Sequence, residues 1–298
     1  LLTGATGFIG RHCIEPLNRR GWEVIGVTSD AAEPPETDGV SWHRADLLDP
    51  AVPAELIRET RPEGLLHLAW QLTAGSVDNF HWARASLQLL MEFAQQSGRR
   101  AVMAGSCAEY DWGAEQPLGE DSPRRPATPY GVCKNALGEL VESYRTEVGL
   151  SAAWARIFFL YGPGEAENRL VASVTRSLLA GEPARSTHGE QLRDYLYVED
   201  LADALARLVD SDVRGPINVA AGRSVRLKEL VEEIARQLDR RELVELGAIE
   251  ARADEAPEVS ADVSRLAQEL DWQPRFDHAA GLERSIAWWR QRVGIVAR

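Results

Sequence analysis

Apolar positions fall into short continuous runs, separated by longer stretches in which they recur every three or four residues. Runs of the first kind occupy 24–28, 65–69, 100–106 and 150–158, and the helical period marks 80–96 and 130–148. Runs without polar alternation belong to strands covered on both faces, so the alternation predicts a parallel sheet between layers of helices. After about residue 156 the pattern changes. Shorter strands at 194–197, 216–219 and 243–246 mix with helices at 169–180, 198–211, 227–239 and 279–292, which reads as a second, smaller unit interleaved with the last pieces of the first. No repeat of fixed period is present, and Tyr161-Gly162-Pro163-Gly164 is the expected crossover between units. The chain opens on Leu1-Leu2 without a Met, so a few residues of a first strand are expected to precede it.

Length and charge narrow the choice of partners. The 298 residues suffice for one large or two fused units. The formal charge is −13, from 46 acidic and 33 basic residues spread along the chain, which argues against nucleic acid or an anionic membrane as the main partner. No apolar run approaches the roughly 18–20 residues that span a bilayer, and no basic segment leads a short apolar one, so a cytoplasmic protein is expected. Cys13, Cys107 and Cys133 lack metal-type spacing and cannot all pair, which fits a reducing compartment. His43, His81 and His188 also have no partners at metal spacing, so no metal is expected.

Candidate chemistry begins at residues 3–10, Thr3-Gly4-Ala5-Thr6-Gly7-Phe8-Ile9-Gly10, where glycines at intervals of three follow a strand remnant and open a helix that Gly21 closes. Glycines allow a tight turn and close approach to a pyrophosphate, whose charge meets unpaired N–H groups at the helix start. Gly4, Thr6, Gly7, Phe8, Ile9 and Gly10 are therefore candidate cofactor contacts, joined by Leu68, Ala69 and Trp70 at the end of a later strand. Asp46, followed by Leu47, either accepts from an adenine amino group or caps a helix. The second strand ends in Thr28-Ser29, where a carboxylate would be expected for a ribose 2′-hydroxyl. Hydroxyls tolerate a 2′-phosphate, so NADP(H) is favoured and NAD(H) remains possible, with Asp30 as the residue that could still reach a ribose.

Tyr130 and Lys134 stand four apart, on one helical face about 6 Å from each other. A nearby ammonium favours the phenolate, so Tyr130 can give or take a proton at a carbinol or carbonyl. Ser106, at the end of the apolar strand and 24 residues earlier, supplies a hydroxyl for the same oxygen.

With these residues the chain resembles the extended short-chain dehydrogenase/reductase family, in its sugar-nucleotide epimerase/dehydratase/reductase group. The matching stretches are 3–10, Asp46-Leu47, His67-Leu68-Ala69, Ser106, Tyr130 with Lys134, Arg156-x-Phe158 with Tyr161-Gly162-Pro163, 191–200 and Asn218-Val219. Arg252-Ala253-Asp254, Leu270-x-Trp272-x-Pro274 and Gly281-Leu282 complete them. The resemblance implies an α/β fold, a Rossmann-type doubly wound parallel sheet with a smaller, interleaved C-terminal α/β substrate domain. A dinucleotide-binding domain would take 1–158 plus about 192–220, and a substrate-binding domain about 159–191 and 221–298. It also implies Ser106, Tyr130 and Lys134 as catalytic triad, with Tyr130 and Lys134 touching the cofactor. A nucleoside-diphosphate sugar would lie against Ser106, Cys107, Ala108, Phe159, Asn168, Arg193 and Arg252, the two arginines clamping its diphosphate, with structural pairs to Asp194 or Asp254 as their plainer role. A homodimer would be built on the helices at 80–96 and 130–148.

The departures matter as well. Dehydratases of the group carry Asp-Glu where this chain has Cys107-Ala108, so 4,6-dehydration is not expected. Trp82 and Phe159 stand where the family often has Asn, either as core packing or as walls of a pocket shaped for a deoxysugar. The expected activity is NAD(P)H-dependent reduction of the 4-keto group of a nucleoside-diphosphate 6-deoxyhexose. The alternatives are an NAD-dependent 4-epimerase and a non-catalytic dinucleotide-binding regulator.

Overall fold

The structure is a computed structural model describing residues 1–29, 36–71, 77–96, 98–252, 255–292 and 294. Asp30 and the Ala253-Asp254 pair lie outside the described residues.

The strands are β1 (Leu2–Thr3), β2 (Val24–Thr28), β3 (Val40–Arg44), β4 (Gly64–His67), β5 (Arg100–Ser106), β6 (Ser151–Ile157) and β7 (Phe159–Tyr161). They continue with β8 (Ala184–Ser186), β9 (Leu192–Arg193), β10 (Tyr195–Tyr197), β11 (Gly215–Val219), β12 (Val225–Arg226), β13 (Val244–Leu246) and β14 (Glu258–Val259). The helices are α1 (Gly10–Arg19), α2 (Val52–Thr60), α3 (Asp78–Gln95), α4 (Pro129–Val148), α5 (Leu170–Ala180), α6 (Val198–Val209), α7 (Leu227–Leu238), α8 (Ser264–Leu270) and α9 (His278–Arg292).

Seven strands form one parallel sheet in the order β11-β6-β5-β4-β1-β2-β3. The order reverses beside β1, and such switch points open a crevice at the carboxyl ends of the strands. Ala101, Val102 and Met103 in β5 and Ala152 to Ala155 in β6 are buried on both faces, which is why no polar alternation marks them in the sequence. One face packs Cys13, Ile14 and Leu17 of α1 against Leu201, Leu205 and Leu208 of α6. The other packs Leu56 and Ile57 of α2, Leu89 and Phe93 of α3, and Leu137 and Val141 of α4 around Trp154. Helices on both faces make the sheet doubly wound, the Rossmann-type arrangement.

The first strand–helix–strand units are found at or within two residues of the apolar runs. The run at 65–69 ends early, at His67, because Leu68 and Ala69 turn their amides onto the Thr3 hydroxyl, each at 3.2 Å. β3 and α2 were not marked, β3 because it is an edge strand with none of its residues fully buried. The small sheets are β10-β7, β12-β9-β14 and β13-β8. Residues 192–197, given by the resemblance to the dinucleotide-binding domain, pair in the small sheets, where β9 bonds β12 and β14 and β10 bonds β7. Tyr161, Val171, Leu178, Leu230, Ile234, Leu282 and Ile286 form a separate core beside them.

Candidate active site

The turn from β1 into α1 requires glycine at Gly4 and Gly10. A Cβ on Gly10 would stand 2.2 Å from the Gly4 carbonyl oxygen, and one on Gly4, whose φ is +67°, would stand 2.9 Å from the Ala69 amide nitrogen. No side chain caps α1 at Ile9, so its first amides face the crevice without a competing carboxylate. Thr6, Phe8 and Ile9 are partly buried around this turn and Gly7 is exposed. The donors and the closely approaching backbone fit a dinucleotide pyrophosphate. Arg11, not singled out in the sequence, donates to the carbonyls of Thr6 at 2.6 Å and Gly7 at 3.0 Å, bracing the turn from its C-terminal side.

Across the crevice the β4 end is held by Thr3, His67 and Ser86. Thr3 Oγ1 accepts the Leu68 and Ala69 amides, so its own proton goes to His67 Nδ1 at 2.8 Å, and His67 Nε2 meets Ser86 at 2.8 Å. Burial, with the Lys134 charge adding to it, pushes His67 down to about 3, and a neutral ring of this kind orients backbone rather than moving protons. Asp46 is exposed and accepts the Leu48 amide at 3.0 Å within a turn, and it caps no helix, since α2 begins six residues later behind Ala51 without a side-chain cap; Leu47 is packed in the core and offers the cleft only backbone. Thr28 is buried, 4% exposed, and only Ser29 of the pair is open to solvent. A 2′-phosphate could therefore reach one of the two expected hydroxyls.

β5 ends at Ser106, and α4 begins at Thr128, whose hydroxyl accepts the Gly131 amide at 3.1 Å before Pro129 opens the helix. The Ser106 side chain lies close enough to the Tyr130 hydroxyl to favour its charged form. Burial pushes the Tyr130 phenol above its ordinary range, and the Ser106 side chain is the strongest opposing influence. The expected lowering by Lys134 is not found. Lys134 shares the helix but turns inward, donating to the Ala104 carbonyl at 2.8 Å with its ammonium 3.8 Å from the centre of the Trp70 ring, and burial lowers it to about 7.

Trp70 also meets the Tyr130 ring edge-on at 6.1 Å, stacks on Trp82 at 6.5 Å and donates to Asn79 at 2.9 Å. Trp82 thus belongs both to the core and to the layer behind the active-site tryptophan. On the side of the small sheets, Phe159 lies 6.1 Å from Trp112 and 5.6 Å from Tyr195, an aromatic wall beside Cys107; Ala108 is partly buried next to it in the chain. Arg193 is 4% exposed and donates to Glu255 at 3.1 Å and to the Leu192 carbonyl at 2.8 Å, rather than pairing with Asp194. Asp194 instead accepts the Ala221 and Gly222 amides at 2.7 and 2.9 Å. Arg252 and Asn168 are exposed. Sequence reasoning missed Glu109, Trp154 and Glu255, whose partners lie far along the chain.

A doubly wound sheet whose glycine turn faces a serine, tyrosine and lysine at the switch point defines an extended short-chain dehydrogenase/reductase. Within that class, residues 1–220 match the model of the NAD dependent epimerase/dehydratase family, and the chain belongs to it. A UDP-glucose 4-epimerase of Mycolicibacterium smegmatis is 29% identical over 98% of this chain and 98% of its own. The dTDP-6-deoxy-L-talose 4-dehydrogenase (NAD(+)) of Aggregatibacter actinomycetemcomitans is 26% identical, covering 78% of this chain and 88% of its own. Among solved structures, the Thermus thermophilus UDP-glucose 4-epimerase in complex with NAD superposes with a TM-score of 0.85 at 26% identity, over 99% of this chain and 98% of that one. Among the described residues no helix is long and apolar enough to cross a membrane.

Proposed function

We propose that the protein reduces the 4-keto group of a nucleoside-diphosphate 6-deoxyhexose with a nicotinamide dinucleotide. The observation that carries this reading is the placing of Ser106 and Tyr130 at the β5 end next to Cys107, which shares a cluster with Trp112 and Phe159, the latter packed against Tyr195. Such an aromatic wall suits an apolar methyl at C6 better than a hydroxymethyl, which would lose hydrogen bonds to water there. The glycine turn and the first turn of α1 would hold the pyrophosphate, with Ala69 and Trp70 on the opposite wall. When bound, the reduced dinucleotide supplies the hydride. Ser106 donates a hydrogen bond to the carbonyl oxygen and fixes it, and the Tyr130 phenol passes its proton to that oxygen as the alcohol forms. Burial keeps the proton on Tyr130 until the oxygen needs it, which suits an acid more than a base.

The last point separates this reading from epimerisation, whose first step requires Tyr130 to accept the proton of a C4 hydroxyl. The 4-epimerase remains the second reading, favoured by the likeness to UDP-glucose 4-epimerases across nearly the whole chain. Because Thr28 is buried, NAD(H) becomes the favoured cofactor over NADP(H). The test incubates the protein with NADH or NADPH and a panel of nucleotide 4-keto-6-deoxy sugars and UDP-hexoses. Net cofactor oxidation with the keto sugars supports reduction; interconversion of UDP-hexoses without net oxidation moves the assignment to epimerase.

A further inference from the structure

Next to Ser106 lies a buried charged network. Glu109 is fully buried at the end of the 3-10 turn Cys107–Glu109. Its carboxylate accepts the Ser106 amide at 2.7 Å, the Trp154 indole at 3.0 and 3.1 Å, and Arg156 Nε at 2.8 Å. Arg156 also donates to the Tyr110 hydroxyl at 3.0 Å and the Glu120 carbonyl at 2.9 Å, and Tyr110 donates to Asn218 at 2.7 Å. Gly105 makes room for this, since a Cβ there would stand 2.7 Å from the Glu109 carboxylate and 2.4 Å from the Trp154 nitrogen. One residue earlier, the Ala104 carbonyl receives Lys134. A buried ion pair costs desolvation that its attraction only partly offsets, so its presence beside two members of the cluster calls for a role beyond stability.

We propose that Glu109 is a positioning residue of this site: it fixes Ser106 through the backbone amide and sets its negative charge on the Trp154 indole, whose ring lies 5.9 Å from the Lys134 ammonium, so that the ammonium is held protonated. The proposal rests on reading Ser106 and Lys134 as working residues of the proposed reaction. Lys134 is otherwise surrounded by the Trp70 ring, the Trp154 ring at 5.9 Å on β6, the neutral His67 on β4 and Tyr130 on its own helix. From α3, the uncharged Trp82 and Ser86 stand behind Trp70 and His67. Glu109 is the group that opposes the lowering of Lys134 by burial.

The chain has two lysines, Lys134 and Lys228, so lysine labelled with carbon-13 at the ε position gives two resonances, and Lys228→Arg assigns them. Lys228 is surface-lying and paired with Glu190. Titration of Glu109→Gln, without substrate or cofactor, is expected to move the Lys134 midpoint down by about one pH unit, a tenfold loss of proton affinity, with Lys228 unmoved. Glu109→Asp keeps the charge and should hold the midpoint near that of the wild type. In turnover, the loss of rate at high pH should begin about one unit lower in Glu109→Gln. If the single variant does not fold, Glu109→Gln with Arg156→Gln removes both buried charges and must show a downward shift of Lys134. A folded variant in which Lys134 titrates as in the wild type overturns the proposal. A shifted Lys134 with no turnover on any sugar would instead count against the proposed reaction alone.

Discussion

Tyr130 keeps its proton because of where it sits: burial raises the phenol, and the Ser106 hydroxyl, then the Arg169 charge, oppose it. Replacing it by Phe removes the transferable proton while leaving the ring against Trp70, so turnover should fall by roughly 10²–10⁴-fold. Dinucleotide affinity, read by fluorescence titration, should stay nearly constant. A second residue-scale outcome concerns Glu165, 5% exposed, with one carboxylate oxygen lacking any partner. Burial raises it from 4.5 to about 8. Between those values the folded chain holds a proton that the unfolded chain has released, so stability is lost as pH rises through that window. Gln at this position has no proton to lose. The melting temperature of Glu165→Gln relative to wild type should therefore climb between about pH 5 and pH 9, and a constant difference would show that Glu165 is charged throughout.

At the scale of the element, the β1–α1 turn is the least forgiving segment. The Cβ of Gly10→Ala would press on the Gly4 carbonyl and the Ala5 Cα, both backbone atoms that cannot swing away. The expected cost is about 1–3 kcal/mol of stability, measured by denaturant unfolding. Dinucleotide binding should weaken at least tenfold, about 1.4 kcal/mol, because the amides no longer converge. α4 shows how two local signals and one distant one share a helix. Thr128-Pro129 sets its start and Gly149, at φ +73°, its end, both readable from neighbouring residues. The inward turn of Lys134 depends instead on a carbonyl 30 residues away and a tryptophan from another strand end.

For the whole molecule, α3 and α4 each bury one face on the sheet and leave large apolar side chains outside: Phe80 is 56% exposed, Leu140 51% and Val132 45%. The homodimer that the family resemblance implies would cover these side chains. Sedimentation equilibrium should give twice the 32.9 kDa chain mass, and Leu140→Asp should shift it toward the monomer. The order of strands and helices, the glycine turn and the Ser106, Tyr130 and Lys134 candidates were legible in the sequence because each rests on periodicity or short spacing, and the backbone responds to its nearest neighbours. The edge strand β3 escaped because it is never fully buried, and the pairing of residues 192–197 was not legible because pairing partners are not encoded in a strand's own pattern. Only the tertiary structure decided that Arg193 meets Glu255, 62 residues on, that Thr28 is closed to solvent, and that Glu109 meets Arg156 next to Ser106. Charge and burial act through space, so the state of each ionisable group was set by chain segments that folding alone brings together.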